Sequence, residues 1–374
     1  MLYQTHARIH LQNIRANLLG IRQAVGPHRK ILIAVKANAY GHGAVEVSRM
    51  AQNSGIDWLG VATVPEGLQL RDAGITLPIL KFSPSFPEEM SAAVEAKITL
   101  AVCSRENAET LETAARRAGK KAVIHLKVDT GMGRVGVSID QAPELAAFID
   151  TQCPHIRLEG LFTHLPVSDE ADPGFTRAQI ARFKATVDAV EAALGRKLDL
   201  VHCANSGAVL GHEPAWLDMV RPGIMIYGFY PDADTPRTIP LQPGLSFLTR
   251  ISFLKKVAAG TTIGYGRTWV APEDTWIGTL PAGYADGFNR LFSNRGRVLI
   301  GGRSYPIVGR VCMDQSMVNL GPETSVTVGD EVVLIGRSGD QEITVDEWAQ
   351  SLGTITYEVT CQINARVQRV HDAL

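Results

Sequence analysis

The chain has 374 residues, 45% of them hydrophobic and 20% charged, with a formal net charge of -1. That length allows two domains, or one barrel with an appendage, and the composition excludes a disordered chain. No basic excess points to nucleic acid or an anionic membrane, so a small molecule is the expected partner.

The start, Met1-Leu2-Tyr3-Gln4-Thr5-His6, lacks a basic segment followed by an apolar one, and no stretch offers roughly 18 unbroken apolar residues. A soluble cytoplasmic protein is expected. Five cysteines, Cys103, Cys153, Cys203, Cys312 and Cys361, are widely spaced and form no CxxC pair. Reduced, mostly buried thiols fit this better than a disulfide framework or a zinc site. The ten histidines include no HExxH, so no metal is expected.

The opening Ala7 to Leu11 alternates like a strand and can pair with a later domain. From residue 30 to about 228, short β-branched runs alternate with helical patterns, as in parallel βα units. The runs are Ile31 to Lys36, Trp58 to Thr63, Leu77 to Phe82, Ile98 to Cys103, Ala122 to Val128, Ile156 to His164, Leu198 to Ala204 and Met219 to Tyr227. Stretches such as Asn107 to Ala118 and Phe175 to Leu194 carry apolar residues at helical spacing between them. Eight such units predict an α/β fold, a closed (β/α)8 TIM-type barrel. The Pro/Asp/Thr-rich stretch Pro231 to Pro243 reads as a linker. Beyond it, β-rich segments such as Leu245 to Val257, Trp276 to Leu280 and Val332 to Ile335 are separated by glycine turns, and only Val345 to Ser351 looks helical. The expected division is a cofactor-binding barrel over residues 1–240 and a mostly β domain over 241–374, with about the first ten residues able to join the second.

In a barrel, chemistry belongs to the loops at the C-terminal ends of the strands. Strand one ends in Lys36, strand five in Lys127 and Asp129, strand six in His164, strand seven in Asn205-Ser206 and strand eight in Arg221-Pro222-Gly223-Ile224. A lysine alone at a strand end reads first as a solvated side chain and only second as a partly desolvated amine able to form a Schiff base. Five polar ends converging on one mouth favour the second reading. Ser206 and Gly223-Ile224 offer a hydroxyl and backbone N-H groups suited to a phosphate monoester. A reactive lysine beside a phosphate cradle suggests pyridoxal 5'-phosphate, with Lys36 as its tether and the ring as an electron sink for a carbanion at an amino acid Cα. The segment Gly131-Met132-Gly133-Arg134-Val135-Gly136 matches GxGxxG, but the helical pattern begins only near Gln141, so no nicotinamide or flavin site is expected.

Assembled in order, these segments resemble the alanine racemase family over nearly the full chain. Ala34 to Gly43 is similar to the family's cofactor-attachment segment. Lys127 to Arg134, Val220 to Ile224 and Gly283 to Gly287 match as well, Gly264 to Arg267 resembles the segment of the second base, and Val311 to Gln315 resembles the substrate-contact loop. The resemblance implies racemisation of alanine through a pyridoxal-phosphate aldimine. Lys36 would be the base on the D-face and Tyr265 the base on the L-face. Arg221 would face the pyridine nitrogen and keep it unprotonated, and His164 would lie near the ring. Arg134 would contact the phenolic oxygen and the substrate side, with the Met313 N-H at the carboxylate. Tyr40, Ser206, Gly223, Ile224 and Tyr357 would hold the phosphate, with Asn205 beside them. Lys127 would be carbamylated, becoming an anion that orients Arg134. A head-to-tail homodimer is implied, in which Tyr265 and Met313 complete the partner's site, with D-alanine supplied for peptidoglycan. The chain departs from the family at Leu165-Pro166-Val167-Ser168-Asp169, where members often carry a more alanine-rich stretch. Other readings are a racemase of broader specificity, a decarboxylase of the same architecture and a non-catalytic carrier of the cofactor; the Tyr265 and Met313 segments favour the racemase.

Overall fold

The computed structural model describes residues 2–373. The chain forms two compact units, one running from Arg15 to Gln242 and the other combining the residues up to Ile14 with those from Pro243 onward.

The first unit is an eight-stranded parallel barrel. Strands one to eight are Lys30–Ala34, Trp58–Val61, Ile79–Lys81, Ile98–Val102, Ala122–Asp129, Ile156–Phe162, Leu200–His202 and Met219–Val220. Each pairs with its successor as far as strand seven, and strand eight pairs with strand one. The remaining seam has no ladder, yet the Asp218 N-H donates to the Val201 carbonyl at 3.2 Å and the Arg221 N-H to that of Ala204 at 2.7 Å. The barrel is therefore nearly closed. Strand one reads as a continuous aliphatic run because it is buried on both faces, by neighbouring side chains inside and by helices outside. Leu32, Trp58, Leu80, Leu200 and Met219, with Phe82 packed against them, fill one part of the interior. The crossovers include the helices Arg105–Ala118 and Gly174–Leu194. Ser104 caps the former by accepting from the Asn107 N-H at 3.1 Å, which satisfies one of the orphan donors of its first turn.

Most of the expected strands are shorter than the runs that announce them, and in two the remainder of the run becomes another element. Strand one stops at Ala34, and Lys36 opens a separate short helix. Strand eight ends at Val220, because Pro222 cannot donate to a ladder, and Ile224–Tyr227 winds into a 3-10 turn. The stretch 231–242 packs on the barrel: Asn17 donates to the Gln242 carbonyl at 2.9 Å and accepts from its N-H at 2.8 Å, and Ile239 is buried.

In the second unit, strand His6–Ile9 lies between two neighbours. It pairs antiparallel with Leu245–Arg250, where Ala7 faces Phe247, and parallel with Gln368–His371, where Ala7 faces Arg369. The run from Leu245 to Val257 divides at Ile251-Ser252, and its second half, Phe253–Val257, joins a different sheet with Thr275–Leu280 and Ser316–Gly321. Val257, Ile263, Ala271, Ile277 and Val308 form the core there. A helix at Val345–Leu352 is joined by a second, Thr356–Cys361, which carries no apolar run long enough to declare itself in sequence. Among the described residues no helix is long and apolar enough to cross a membrane.

Candidate active site

Lys36 leads into a backbone conformation that L-residues avoid. Ala37, Asn38, Ala39 and Tyr40 follow with φ of 51°, 54°, 54° and 52°, a turn of left-handed helix. Left-handed geometry costs about 1–2 kcal/mol per L-residue, so this turn needs support. The support is dense. The Glu66 carboxylate accepts from the Ala37 N-H at 2.7 Å with one oxygen, and from Ala62 and Thr63 at 2.8 and 3.1 Å with the other. The Asn38 side chain accepts from Ala44 at 2.9 Å. Buried His42 uses Nδ1 toward the carbonyls of Ala39 and Tyr40, at 3.1 and 3.0 Å, while its ring stacks on Tyr227 with 4.4 Å between centroids. The Lys36 ammonium lies 6.0 Å from the centre of the Tyr40 ring.

Around the barrel mouth the charges are mostly positive. Lys127 is buried, donates to the Phe82 carbonyl at 3.1 Å and sits 4.9 Å over the Phe162 ring. Burial, then Arg221, Arg134 and Lys36, bring its pKa down to about 8, against a weaker opposing pull from Cys103. Arg221 is also buried. It donates to Nδ1 of His202 at 2.9 Å and to the carbonyls of Thr163 and Cys203 at 2.7 and 3.2 Å, and its guanidinium lies 5.5 Å from the centre of the Phe162 ring. His164 is held down to about 3 by loss of hydration and then by Arg221, Lys127, Arg134 and Lys36. Its imidazole is neutral at physiological pH, within the field of four cations. The His164 carbonyl is fixed by Gln179, which also donates to Thr130, itself hydrogen-bonded to Thr163 at 2.8 Å.

The ends of strands seven and eight form a small cradle. The Gly223 N-H donates to Ser206 Oγ at 2.9 Å, and a Cβ placed on Gly223 would lie 2.8 Å from the Tyr40 hydroxyl. Only glycine leaves that space open. Ile224 follows at the head of the 3-10 turn. Asn205 stands just before this group, accepting from the Ala208 N-H at 3.2 Å and donating to the Leu165 carbonyl at 2.9 Å. Ser168, buried in the segment that departs from the family pattern, donates to the same Asn205 side chain at 2.6 Å. The departure is thus accommodated by one hydrogen bond to a residue already fixed in place.

The glycine-rich segment 131–136 is a loop. Asp129 accepts from the Gly131 and Met132 N-H groups at 2.9 Å, and the next helix is Ala142–Gln152. Arg134 lies in this loop.

The remaining expected site residues belong to the second unit. Tyr265 heads a 3-10 turn after Gly264 and is 73% exposed, and Met313 is 54% exposed. Tyr357 is half-buried on the helix Thr356–Cys361. The Met313 loop is tied down by charge. Arg366 donates twice to the fully buried Asp286, at 2.7 and 2.9 Å, and once to Asp314 at 2.8 Å. Tyr3 and the Gly283 N-H donate to the same Asp286 carboxylate, each at 2.9 Å. The Ala285 N-H donates to the Met313 carbonyl at 3.0 Å.

Glu66, His202, His125, Glu159, Phe162 and Arg366 support these groups and were not among the residues singled out from sequence, while His42 and Asp286 fell within matched segments but were given no role. The alternation His125-Lys127-Asp129 along strand five was the visible signal for one of them, since it places a histidine on the face that carries Lys127.

Residues 9–231 match the model of the alanine racemase N-terminal domain, and residues 245–371 that of the alanine racemase C-terminal domain. The chain is similar to the alanine racemase of Cutibacterium acnes, 51% identical over 98% of this chain and 97% of that one. It is 43% identical to the alanine racemase of Chlorobaculum tepidum, over 98% and 95%. Among solved structures it resembles alanine racemase of Clostridium difficile, with a TM-score of 0.95 and 37% identity over 100% of this chain and 96% of that one. It also resembles the Bacillus anthracis alanine racemase with bound L-Ala-P, with a TM-score of 0.93 and 34% identity over 99% and 95%. With both domains matched in order and the barrel mouth built as described, the chain belongs to the alanine racemase family and is an enzyme of the pyridoxal-phosphate-dependent amino acid racemase class.

Proposed function

We propose that this enzyme interconverts L- and D-alanine with pyridoxal 5'-phosphate bound at the barrel mouth. The observation that carries the reading is the set of four cations, Lys36, Lys127, Arg134 and Arg221, gathered around one neutral histidine. Such a field favours an anionic ligand. A phosphate, a phenolate and a substrate carboxylate would supply that charge. The space above Gly223 that a Cβ would fill, beside Ser206 and Tyr40, is of the right kind for a phosphate ester. The residues present therefore fit the cofactor.

In this reading Lys36 Nζ tethers the cofactor, while Tyr40, Ser206, Gly223 and Ile224 hold the phosphate with Asn205 in support. When bound, pyridoxal phosphate delocalises negative charge developed at the substrate Cα. Lys36 takes or returns the Cα proton on one face. The Tyr265 hydroxyl does so on the other, and two bases on opposite faces are what inversion needs. Arg221, always a donor, would present its guanidinium to the ring nitrogen of the bound cofactor and so disfavour its protonation, which would temper the electron demand. His164, kept neutral by burial and then by the cations, adds no further charge. Arg134 and the Met313 N-H hold the substrate carboxylate. Exposed Tyr265 and Met313 point to a head-to-tail homodimer in which each second unit serves the partner's barrel, with Tyr357 as a further phosphate contact. D-alanine made in the cytoplasm would supply peptidoglycan.

We also infer that Lys127 is carbamylated. Its lowered pKa, about 8, leaves a substantial fraction of neutral amine at mildly alkaline pH, the form that attacks carbon dioxide. The product is an anion next to Arg134. An intact-mass increment lost on decarbonation supports this, and unmodified lysine at full occupancy in bicarbonate overturns it.

The test of function is incubation of the cofactor-loaded protein with L-alanine, following optical rotation and carbon dioxide. Rotation should decay to zero without gas release. Carbon dioxide would identify a decarboxylase, and unchanged rotation a carrier. Repeating the assay with L-serine measures breadth.

A further inference from the structure

Arg221 is a buried cation whose guanidinium, among the described residues, bonds to His202 and to the carbonyls of Thr163 and Cys203. From it a continuous hydrogen-bonded chain runs into the barrel interior. Arg221 meets His202 Nδ1 at 2.9 Å, His202 Nε2 meets His125 Nδ1 at 2.8 Å, and His125 Nε2 meets the Glu159 carboxylate at 3.1 Å. Both imidazoles are fully buried.

The direction of this chain is forced. Arginine has no acceptor, so His202 Nδ1 must carry the lone pair and Nε2 the proton. His202 then donates to His125, whose Nδ1 must accept and whose Nε2 must donate. A carboxylate, which only accepts, closes such a chain without conflict. Reversing either ring would set two donors face to face.

The backbone is shaped for this terminus. Strands five and six pair Ile124 with Leu158 and then His125 with Gly160, so Glu159 is the extra residue of a β-bulge. A bulge re-aims a side chain, and here it accompanies a carboxylate turned onto His125 from the middle of a strand. Gly160 completes the arrangement, because a Cβ there would stand 3.1 Å from the His125 ring and 2.7 Å from the Leu200 carbonyl. Phe162 stacks on His202 with an interplanar angle of 5° and fixes its plane. Outside, Arg157 approaches Glu159 at 3.4 Å and joins it to Asp199. Burial and the neighbouring Arg221 hold His202 well below its ordinary pKa, which keeps the ring neutral.

We propose that Glu159 and His125 are positioning residues of the racemase, stabilising from the far end, through His202, the proton order that Arg221 requires and so locking its guanidinium in the orientation it presents to the site. The proposal rests on the functional reading above for what Arg221 faces, but the proton order itself does not depend on cofactor or substrate.

The test uses full-length protein labelled with 15N-histidine, whose imidazole tautomers are read by two-bond proton–nitrogen spectra at neutral pH. Substituting His125 or His202 assigns the signals. Both rings should be neutral with the proton on Nε2, and a proton on Nδ1 or an imidazolium at either ring overturns the proposal. Glu159→Gln keeps a carbonyl acceptor and should preserve the tautomers, with kcat within about threefold of wild type, less than the loss of a charged hydrogen bond. Glu159→Leu leaves the His125 Nε2–H with no acceptor, a cost the chain relieves only by reversing both rings and releasing Arg221 from His202. The tautomers should therefore mix and kcat fall roughly tenfold at nearly constant KM, the scale of one hydrogen bond to a charged group. A Glu159→Leu enzyme with unchanged tautomers and kcat overturns the proposal. If that variant does not fold, the wild-type spectra and Glu159→Gln still decide. Failure of the racemase assay with the expected tautomers would sink the functional reading and leave the proton order standing.

Discussion

The barrel mouth and the Tyr265 face of the second unit contribute to one proposed chemistry in opposite ways. In the barrel unit the key groups are buried or held by buried neighbours: Lys127, Arg221 and Ser206 are each 5% exposed or less, and a strained turn after Lys36 is braced by Glu66, Asn38 and His42. In the second unit Tyr265 and Met313 are among the exposed large apolar side chains, and the Met313 loop is ordered by an ionic clamp, Arg366 on Asp286 and Asp314. The barrel can therefore preorganise charge at Lys127 and Arg221 on its own, because those two cations are desolvated by its own core. The second unit only presents groups, and presentation has value when something else covers them.

This contrast can be broken or sharpened by substitution. The largest effect should come from Lys36→Ala, which removes both tether and base, a loss of roughly 10²–10⁴ in kcat or more on the scale of general catalysis, with no cofactor fixed by borohydride. Tyr265→Phe should cost activity on the same roughly 10²–10⁴ scale, weighted toward one direction of racemisation, while leaving borohydride fixation intact. Mixing Lys36→Ala and Tyr265→Ala chains after dissociation should restore activity if each site is shared. No recovery would place both bases in one chain.

Stability separates the two units further. Arg366→Met leaves the fully buried Asp286 carboxylate with Tyr3 and Gly283 as its remaining donors, and should destabilise the protein by about 3 kcal/mol in chemical denaturation. Glu66→Ala orphans three backbone donors around the left-handed turn, at a cost of about 1–3 kcal/mol, and should raise the KM for pyridoxal phosphate.

The smallest effect near neutrality is that of pH on the barrel. His164 is held at about 3, against 6.5 for the free side chain, and His202 and His125 are lowered as well. The unfolded chain therefore binds more protons than the folded one below about 6.5. Stability contributed by these neutral rings is complete above that pH and should be lost progressively as pH falls toward 3, an acid slope that His164→Asn should flatten. A slope unchanged by that substitution would show that His164 is not held neutral by its burial and the surrounding cations.

Much of this was legible in the chain itself. Apolar runs at βα spacing located every barrel strand, and the residue types at their ends suggested the chemistry proposed here, because a parallel sheet gathers its C-terminal ends on one side. The same reasoning overran at Lys36 and at Ile224–Tyr227, where aliphatic composition is equally compatible with strand and tight helix. Nor could it find Glu159 or Glu66. Their roles depend on a one-residue bulge and on a left-handed turn, both settled by long-range partners and not by local propensity.

The sequence alone determined the alternation of elements, the lysine after the first apolar run and the family to which its motifs belong, since these rest on side-chain periodicity and on residue identity. Tertiary structure decided the protonation and orientation of the site: a neutral His164, a Lys127 poised near 8, and an Arg221 locked by a one-way chain of imidazoles. Those properties arise from desolvation and from charges brought together across strands, and neither is written in any single segment.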